Sequence, residues 1–266
     1  MSFVNKIKGL KEVWQFDNRW HLLVWRLFFP REKINVYQYK GLEILIDHAA
    51  GDANGAREVL ATDMYRQYLG QMNFRGPARV LDLGANNGGF PLLLSSENIA
   101  LEKLAAVEFN PQTFNRMRFN VERNLACEQV LLNVAVGGEN RVIDASFGSK
   151  GTADNIYRAA DGRPTVKIDC LTFDEIYRAA FAGETIDVCK MDVEGAEFEV
   201  FRGGNCENLR KCRYLLIEIH HEPGRERGPA LEKLKELGFR EIGGESKTDE
   251  HHHVHFLRNE KMMLNV

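Results

Sequence analysis

The sequence predicts an α/β fold: a mostly parallel sheet with helices on both faces. Three observations carry this. Short β-rich runs alternate with helical ones after Gly76-Pro77, the first of them ends in a glycine-rich turn, and the second ends in an acidic residue. At 266 residues the chain suits one large domain, or a domain with an appendage. Its 44% hydrophobic and 27% charged residues exclude disordered and collagen-like classes. A net charge of −3 argues against a surface that grips nucleic acid, so no such partner is expected. The five cysteines form no C-x-x-C pair, and their odd number excludes a fully paired disulfide framework, pointing to a reducing cytoplasm.

Residues 2–15 place Phe3, Val4, Ile7, Leu10, Val13 and Trp14 on one helical face. A second, more apolar helix over 18–29 stops at Pro30. Residues 34–39 and 42–46 alternate around Lys40-Gly41 as a β-hairpin, and a helix over 56–69 leads to the boundary at Gly76-Pro77. Residues 1–75 therefore read as an N-terminal helical and hairpin extension, and 76–266 as the main domain. In the latter, strands are expected at 79–83, 104–108, 129–136, 186–191, 214–219, 239–242 and 254–257. Helices are expected at 90–98, 111–124, 171–180, 198–203 and 229–237.

The extension has a charge of its own. Residues 1–40 hold eight Lys/Arg against three Asp/Glu, and all three tryptophans. The apolar run Trp20–Phe29 is interrupted by His21 and Arg26 and is far short of the roughly 20 residues that cross a bilayer. Arg31-Glu32-Lys33 follows, where a signal peptide would place small residues. Two readings remain open for residues 1–30. One is a lid or dimer arm with buried aromatics, giving a homo-oligomer. The other is a peripheral contact with a membrane, at its inner face for a cytoplasmic protein.

In doubly wound sheets, ligands bind beyond the carboxyl ends of the strands. The first strand ends in Asp82-Leu83-Gly84-Ala85-Asn86-Asn87-Gly88. Glycines there admit a ligand close to the backbone, and the following helix offers free N–H donors. Asn86 stands where a dinucleotide-binding turn needs its second glycine, which opposes a nicotinamide oxidoreductase. The spacing D-x-G-x-x-x-G is instead associated with class I methyltransferases using S-adenosylmethionine, with Asp82 toward the amino group of the cofactor. Glu108, followed by Phe109, ends the second strand and can accept both hydroxyls of a ribose.

Three further runs carry a family likeness: Asn133-Val134-Ala135-Val136-Gly137, Lys190-Met191-Asp192-Val193-Glu194-Gly195-Ala196-Glu197, and Leu216-Ile217-Glu218-Ile219-His220. With the glycine turn, these resemble the FkbM-type methyltransferases over about residues 79–221. Asn87 and Gly89 depart from the family pattern, where an apolar and an aromatic residue are expected. The resemblance implies a Rossmann-like class I methyltransferase sheet of order 3-2-1-4-5-7-6, with the seventh strand antiparallel. It also implies O-methylation of a sugar, glycan or natural-product hydroxyl. Asn133 and Ala135 would lie by the adenine, and Asp192 at the transfer point.

In-line methyl transfer to a hydroxyl rests on positioning, plus a base or a metal that lowers the hydroxyl pKa. Asp192 and His220 are the candidate bases, with Glu218 behind His220 or acting as a metal ligand; Mg²⁺ is the metal considered. Glu194 and Glu197 read as caps or decoration of the short helix that follows. His220-His221 and His251–His253 with His255 could meet beside the acceptor. A catalytically silent interaction module of the same fold stays open as an alternative. An amino-methyltransferase of nucleobases is disfavoured by the absence of an N-P-P-Y-type run.

Overall fold

The computed structural model describes residues 11–29, 31–50, 52, 55–147, 165–220, 227–246 and 252–264. The first helix expected from the sequence lies largely outside these; residues 11–13 are helical. Helix α1 (Arg19–Phe28) follows, and then the hairpin of β1 (Ile34–Tyr39) and β2 (Leu42–Asp47). Its turn residues Lys40 and Gly41 both have positive φ, the two-residue geometry that matches strand twist. The helix expected over 56–69 is two pieces, α2 (Ala56–Ala61) and α3 (Arg66–Leu69). At the break, the Thr62 hydroxyl donates back to the Glu58 carbonyl (2.8 Å), and Thr62 itself is extended.

The main sheet contains β3 (Ala78–Leu83), β4 (Leu101–Val107), β5 (Glu128–Leu132), β9 (Ile186–Met191), β10 (Cys212–His220), β11 (Phe239–Ser246) and β12 (His252–Asn259). Its order is β11-β12-β10-β9-β3-β4-β5. Strand β12 is antiparallel to both neighbours, and the pairs from β10 through β5 are parallel. This is the 3-2-1-4-5-7-6 arrangement, a Rossmann-like α/β fold.

The third strand is shorter than the sequence suggests. It ends at Leu132, and the chain then enters a separate small sheet of β6 (Ala135–Gly137), β7 (Arg141–Ala145) and β8 (Val166–Thr172). Ala135 therefore pairs with Cys170 in the small sheet and not with β4. The apolar run Val130–Val136 gave no sign of the bend. Helix α6 (Phe173–Phe181) starts two residues later than expected, because the Thr172 hydroxyl caps it through the Glu175 amide (3.2 Å).

Strand alternation sorts the core into two layers. Val80, Val188, Leu216 and Phe256 face α4 (Gly89–Ser96), α5 (Pro111–Asn124) and the extension, whose Phe16, Leu22, Tyr37, Ile44, Leu60 and Tyr65 belong to this same cluster. Leu81, Leu83, Cys189, Met191, Leu215 and Ile217 face α6, α7 (Glu197–Arg202) and α8 (Gly228–Glu236). Residues 11–72 thus supply part of the layer that covers one face of the sheet. Among the described residues, no helix is long and apolar enough to cross a membrane.

Candidate active site

The turn after β3 is fastened from both sides. The Gly84 and Ala85 amides donate to the Val107 carbonyl (3.0 and 2.9 Å), and the Asp192 amide donates to the Leu83 carbonyl (3.0 Å). A Cβ on Gly84 would collide with the Asp192 carbonyl, so β9 can close on this turn only where a side chain is missing. Asn86 and Gly88 hold positive φ, and Gly88 starts α4. Glu108, at the end of β4, accepts the Asn86 amide (3.0 Å) on one oxygen and the Asn110 amide (2.9 Å) on the other. Each oxygen keeps a lone pair. Burial outweighs these hydrogen bonds and lifts the Glu108 pKa to about 7. The Asn133 side chain donates to the Glu108 and Phe109 carbonyls, fastening β4 to the end of β5.

The two departures from the family pattern have a shared cause. Asn87 is wholly buried, and its Oδ1 accepts the Ala56 amide (2.6 Å). A side chain on Gly89 would strike the Ala56 backbone, and one on Gly55 would strike Asn86 and Asn87. Small residues and one amide here let the extension lie directly against the glycine turn.

At the ends of β9 and β10 the side chains are ionic. Lys190, Asp82 and Glu218 project from one sheet face, as their registers require. Asp82 is fully buried; neither oxygen receives a hydrogen bond, and the Lys190 ammonium stands 3.5 Å away. That ammonium donates to the Gly84 carbonyl (2.6 Å) and lies 3.5 Å from Asp192. Burial disfavours its charge, but Asp82, Asp192 and Glu218 together raise its pKa. Glu218 accepts the Tyr65 hydroxyl (2.9 Å).

Beyond Lys190 the chain turns through Glu194 and Gly195, both at positive φ. His220 Nδ1 lies 3.1 Å from Glu197 Oε1, and its Nε2 lies 3.4 Å from Glu194 and 3.7 Å from Asp192. Glu197 also accepts the Val193 amide (3.1 Å). Burial opposes the His220 charge, yet Glu197, Asp192 and Glu194 outweigh it and lift the pKa to about 9. Burial and Asp192 push Glu194 up to about 7. Asp192, Glu197 and His220 offer ligand atoms within 4.8 Å of one another, so this triad could hold a cation if His220 lost its proton.

The structure thus brings together Asp82, Gly84, Ala85, Asn86, Glu108, Phe109, Asn133 and Asp192 at the carboxyl edge, with His220 beside Asp192. Asn87 and Gly88 lie in the turn but face α2 and α5, and Glu218 faces Tyr65. The second histidine group divides by register. His252 pairs with His220, while His255 pairs with Ile217, whose side chain is in the opposite core layer. His255 is buried there and meets Glu241 at 2.7 Å; His221 and His251 lie outside the described residues. Sequence reasoning missed Tyr65, which carries no motif. It also gave Glu194 and Glu197 only to capping or decorating the following helix, whereas both stand against His220.

Comparisons with known proteins point to one family. The family description "Methyltransferase FkbM domain" matches residues 82–254. A curated relative, hexuronic acid methyltransferase AglP of Haloferax volcanii, is 27% identical over 139 residues, covering 52% of this chain and 54% of its own length. The chain therefore spans about half of that relative. The crystal structure of methyltransferase FkbM from Methylobacillus flagellatus aligns with a TM-score of 0.51 at 17% identity, covering 73% of this chain and 47% of the other.

Proposed function

The chain belongs to the FkbM methyltransferase family, and from that premise we propose that it moves a methyl group from S-adenosylmethionine to a hydroxyl of a sugar-type acceptor. One observation carries this reading: a ribose-type carboxylate and a dense ionic cluster flank the same glycine turn, at 3.0 Å from Glu108 to Asn86 on one side and 2.6 Å from Lys190 to Gly84 on the other. The AglP likeness supports a hexuronic acid or related sugar as the acceptor class.

The residues fit the cofactor. Glu108 keeps one lone pair on each oxygen for a vicinal diol, and Asn86, Phe109 and Asn133 are partly open beside it. Asp82, Asp192, Glu194, Glu197 and Glu218 outnumber Lys190 and His220, an imbalance that suits a ligand bearing a sulfonium and an ammonium. When bound, that ligand supplies an electrophilic methyl. Lys190 holds Asp82 and the Gly84 carbonyl, which keeps the turn in place.

Methylation of a hydroxyl would release that hydroxyl's proton, and a side chain at the transfer point has to accept it. His220 is an imidazolium at neutral pH, so it is a poor proton acceptor. We assign that role to Asp192, with His220 as a positioning residue held by Glu197. Incubation with labelled methyl donor and a panel of hexuronic acids, hexoses and their glycosides tests the assignment. Asp192→Asn should lower kcat about 10³-fold with S-adenosylhomocysteine affinity little changed. Labelling of no sugar, or full activity in that variant, would overturn it. Loss of activity on chelation with rescue by Mg²⁺ would instead make the Asp192–Glu197–His220 triad a metal site.

A further inference from the structure

Helix α1 carries two apolar faces, and the fold uses one. Leu22 and Trp25 turn into the core, and the Trp25 indole donates to Glu32 (3.1 Å). Trp20, Val24, Leu27 and Phe28 lie at helical spacing on another side and are 64, 52, 73 and 67% exposed. Trp14 continues the stripe, edge-on to Trp20 at 5.3 Å, and Phe29 extends it at the far end. Scattered surface leucines are ordinary, but a contiguous row of two tryptophans, two phenylalanines, a leucine and a valine marks a place where something binds.

We propose that this face docks on an anionic lipid bilayer. Tryptophan and phenylalanine beside Lys/Arg are the side chains that settle at the boundary of headgroup and acyl chain. Arg19 and Arg26 flank the stripe, partly exposed, and Lys11, Arg31 and Lys33 are exposed around it. Residues 1–40 carry eight basic and three acidic residues, whereas the remainder carries 27 against 35, so this stretch is net positive and the rest net negative. That asymmetry complements anionic headgroups. A second copy of the chain fits less well, because a two-fold interface would set this basic rim against itself.

The buried side of α1 connects to the site. Trp25 lies against His48 at the open end of the hairpin, with ring centroids 5.7 Å apart and the rings tilted. From there the chain reaches Asp52, which takes the Arg116 guanidinium (2.6 Å), and then Gly55-Ala56 on the glycine turn. The docking itself does not depend on the methyl-transfer reading; only the benefit to an acceptor presented on a membrane does.

Sedimentation of the full chain with vesicles tests the proposal, using equal phosphatidylcholine and phosphatidylglycerol in one set and phosphatidylcholine alone in the other. The protein should sediment with the anionic vesicles, and less so in high salt. Leu27→Ser/Phe28→Ser should lower the bound fraction about tenfold, with thermal unfolding unchanged to show that the variant is folded. Protein left in the supernatant at low salt, or equal binding by the variant, would overturn the proposal. So would a wild-type dimer by light scattering that becomes monomeric in the variant without any vesicle binding.

Discussion

The two sides of the glycine turn treat their carboxylates in opposite ways. On the β3–β4 side, Glu108 receives a backbone amide at each oxygen. On the β9–β10 side, Asp192, Glu194 and Glu197 crowd a single imidazole. The first arrangement is a fixed bracket that presents lone pairs. The second stores charge at close range, so a proton or a cation entering it changes the balance of the whole cluster. The proposed division of binding and chemistry between the two sides of one turn rests on this contrast.

Cutting the link between the sides should cost most. Lys190→Met leaves Asp82 buried without its cation and should destabilise the protein by about 3–5 kcal/mol in urea unfolding. Adding Asp82→Asn should recover part of that loss, since the two residues are coupled. Wild-type stability in Lys190→Met would mean that the cluster is not held as described.

The titration windows of Glu108 and His220 differ next. The folded pKa of Glu108 lies above its ordinary 4.5, at about 7. The native state therefore holds this proton more tightly, and stability falls as pH rises from 4.5 to 7, by up to about 3 kcal/mol. Glu108→Gln should make that segment of the stability–pH curve shallower, leaving the share of Glu194, whose pKa is raised over the same window. His220 is also raised, from 6.5 to about 9, so its contribution is complete below pH 6.5 and disappears as pH rises through 9. The Glu108→Gln curve should keep that upper limb.

Smaller effects separate the roles further. Glu108→Ala should weaken S-adenosylhomocysteine ten- to a hundredfold, about 1.4–2.7 kcal/mol by calorimetry, while Asp192→Asn leaves it nearly unchanged. Tyr65→Phe removes one hydrogen bond to Glu218 and should cost about 1 kcal/mol of stability. Unchanged stability there would detach the extension from the acidic cluster.

The strands that bear motifs were legible because a buried parallel strand is a short apolar run ended by its ligand-facing residue. Asp82, Glu108, Asp192 and His220 could each be placed at such an end. The bend after Leu132 was not legible, because Val134 and Val136 prolong the apolar pattern although Val134 lies in the connection and Val136 in a different sheet. The partner that makes the bend possible, β8, comes about thirty residues later in the chain. Glu194 and Glu197 followed helical decoration in pattern, and their burial depends on a histidine two strands' connection away.

Local order thus determined the fold class, the glycine turn, the ribose-type acid and the asymmetric charge of residues 1–40, since each is written in spacing or composition along a short stretch. Long-range packing decided the rest: that Asn87, Gly89, Gly55 and Ala56 form one joint, that Tyr65 meets Glu218, and that His220 sits among three acids. It also decided which apolar face of α1 is buried. Periodicity reveals that a helix has apolar residues, but only the shape of the surface it lands on selects the ones that leave water.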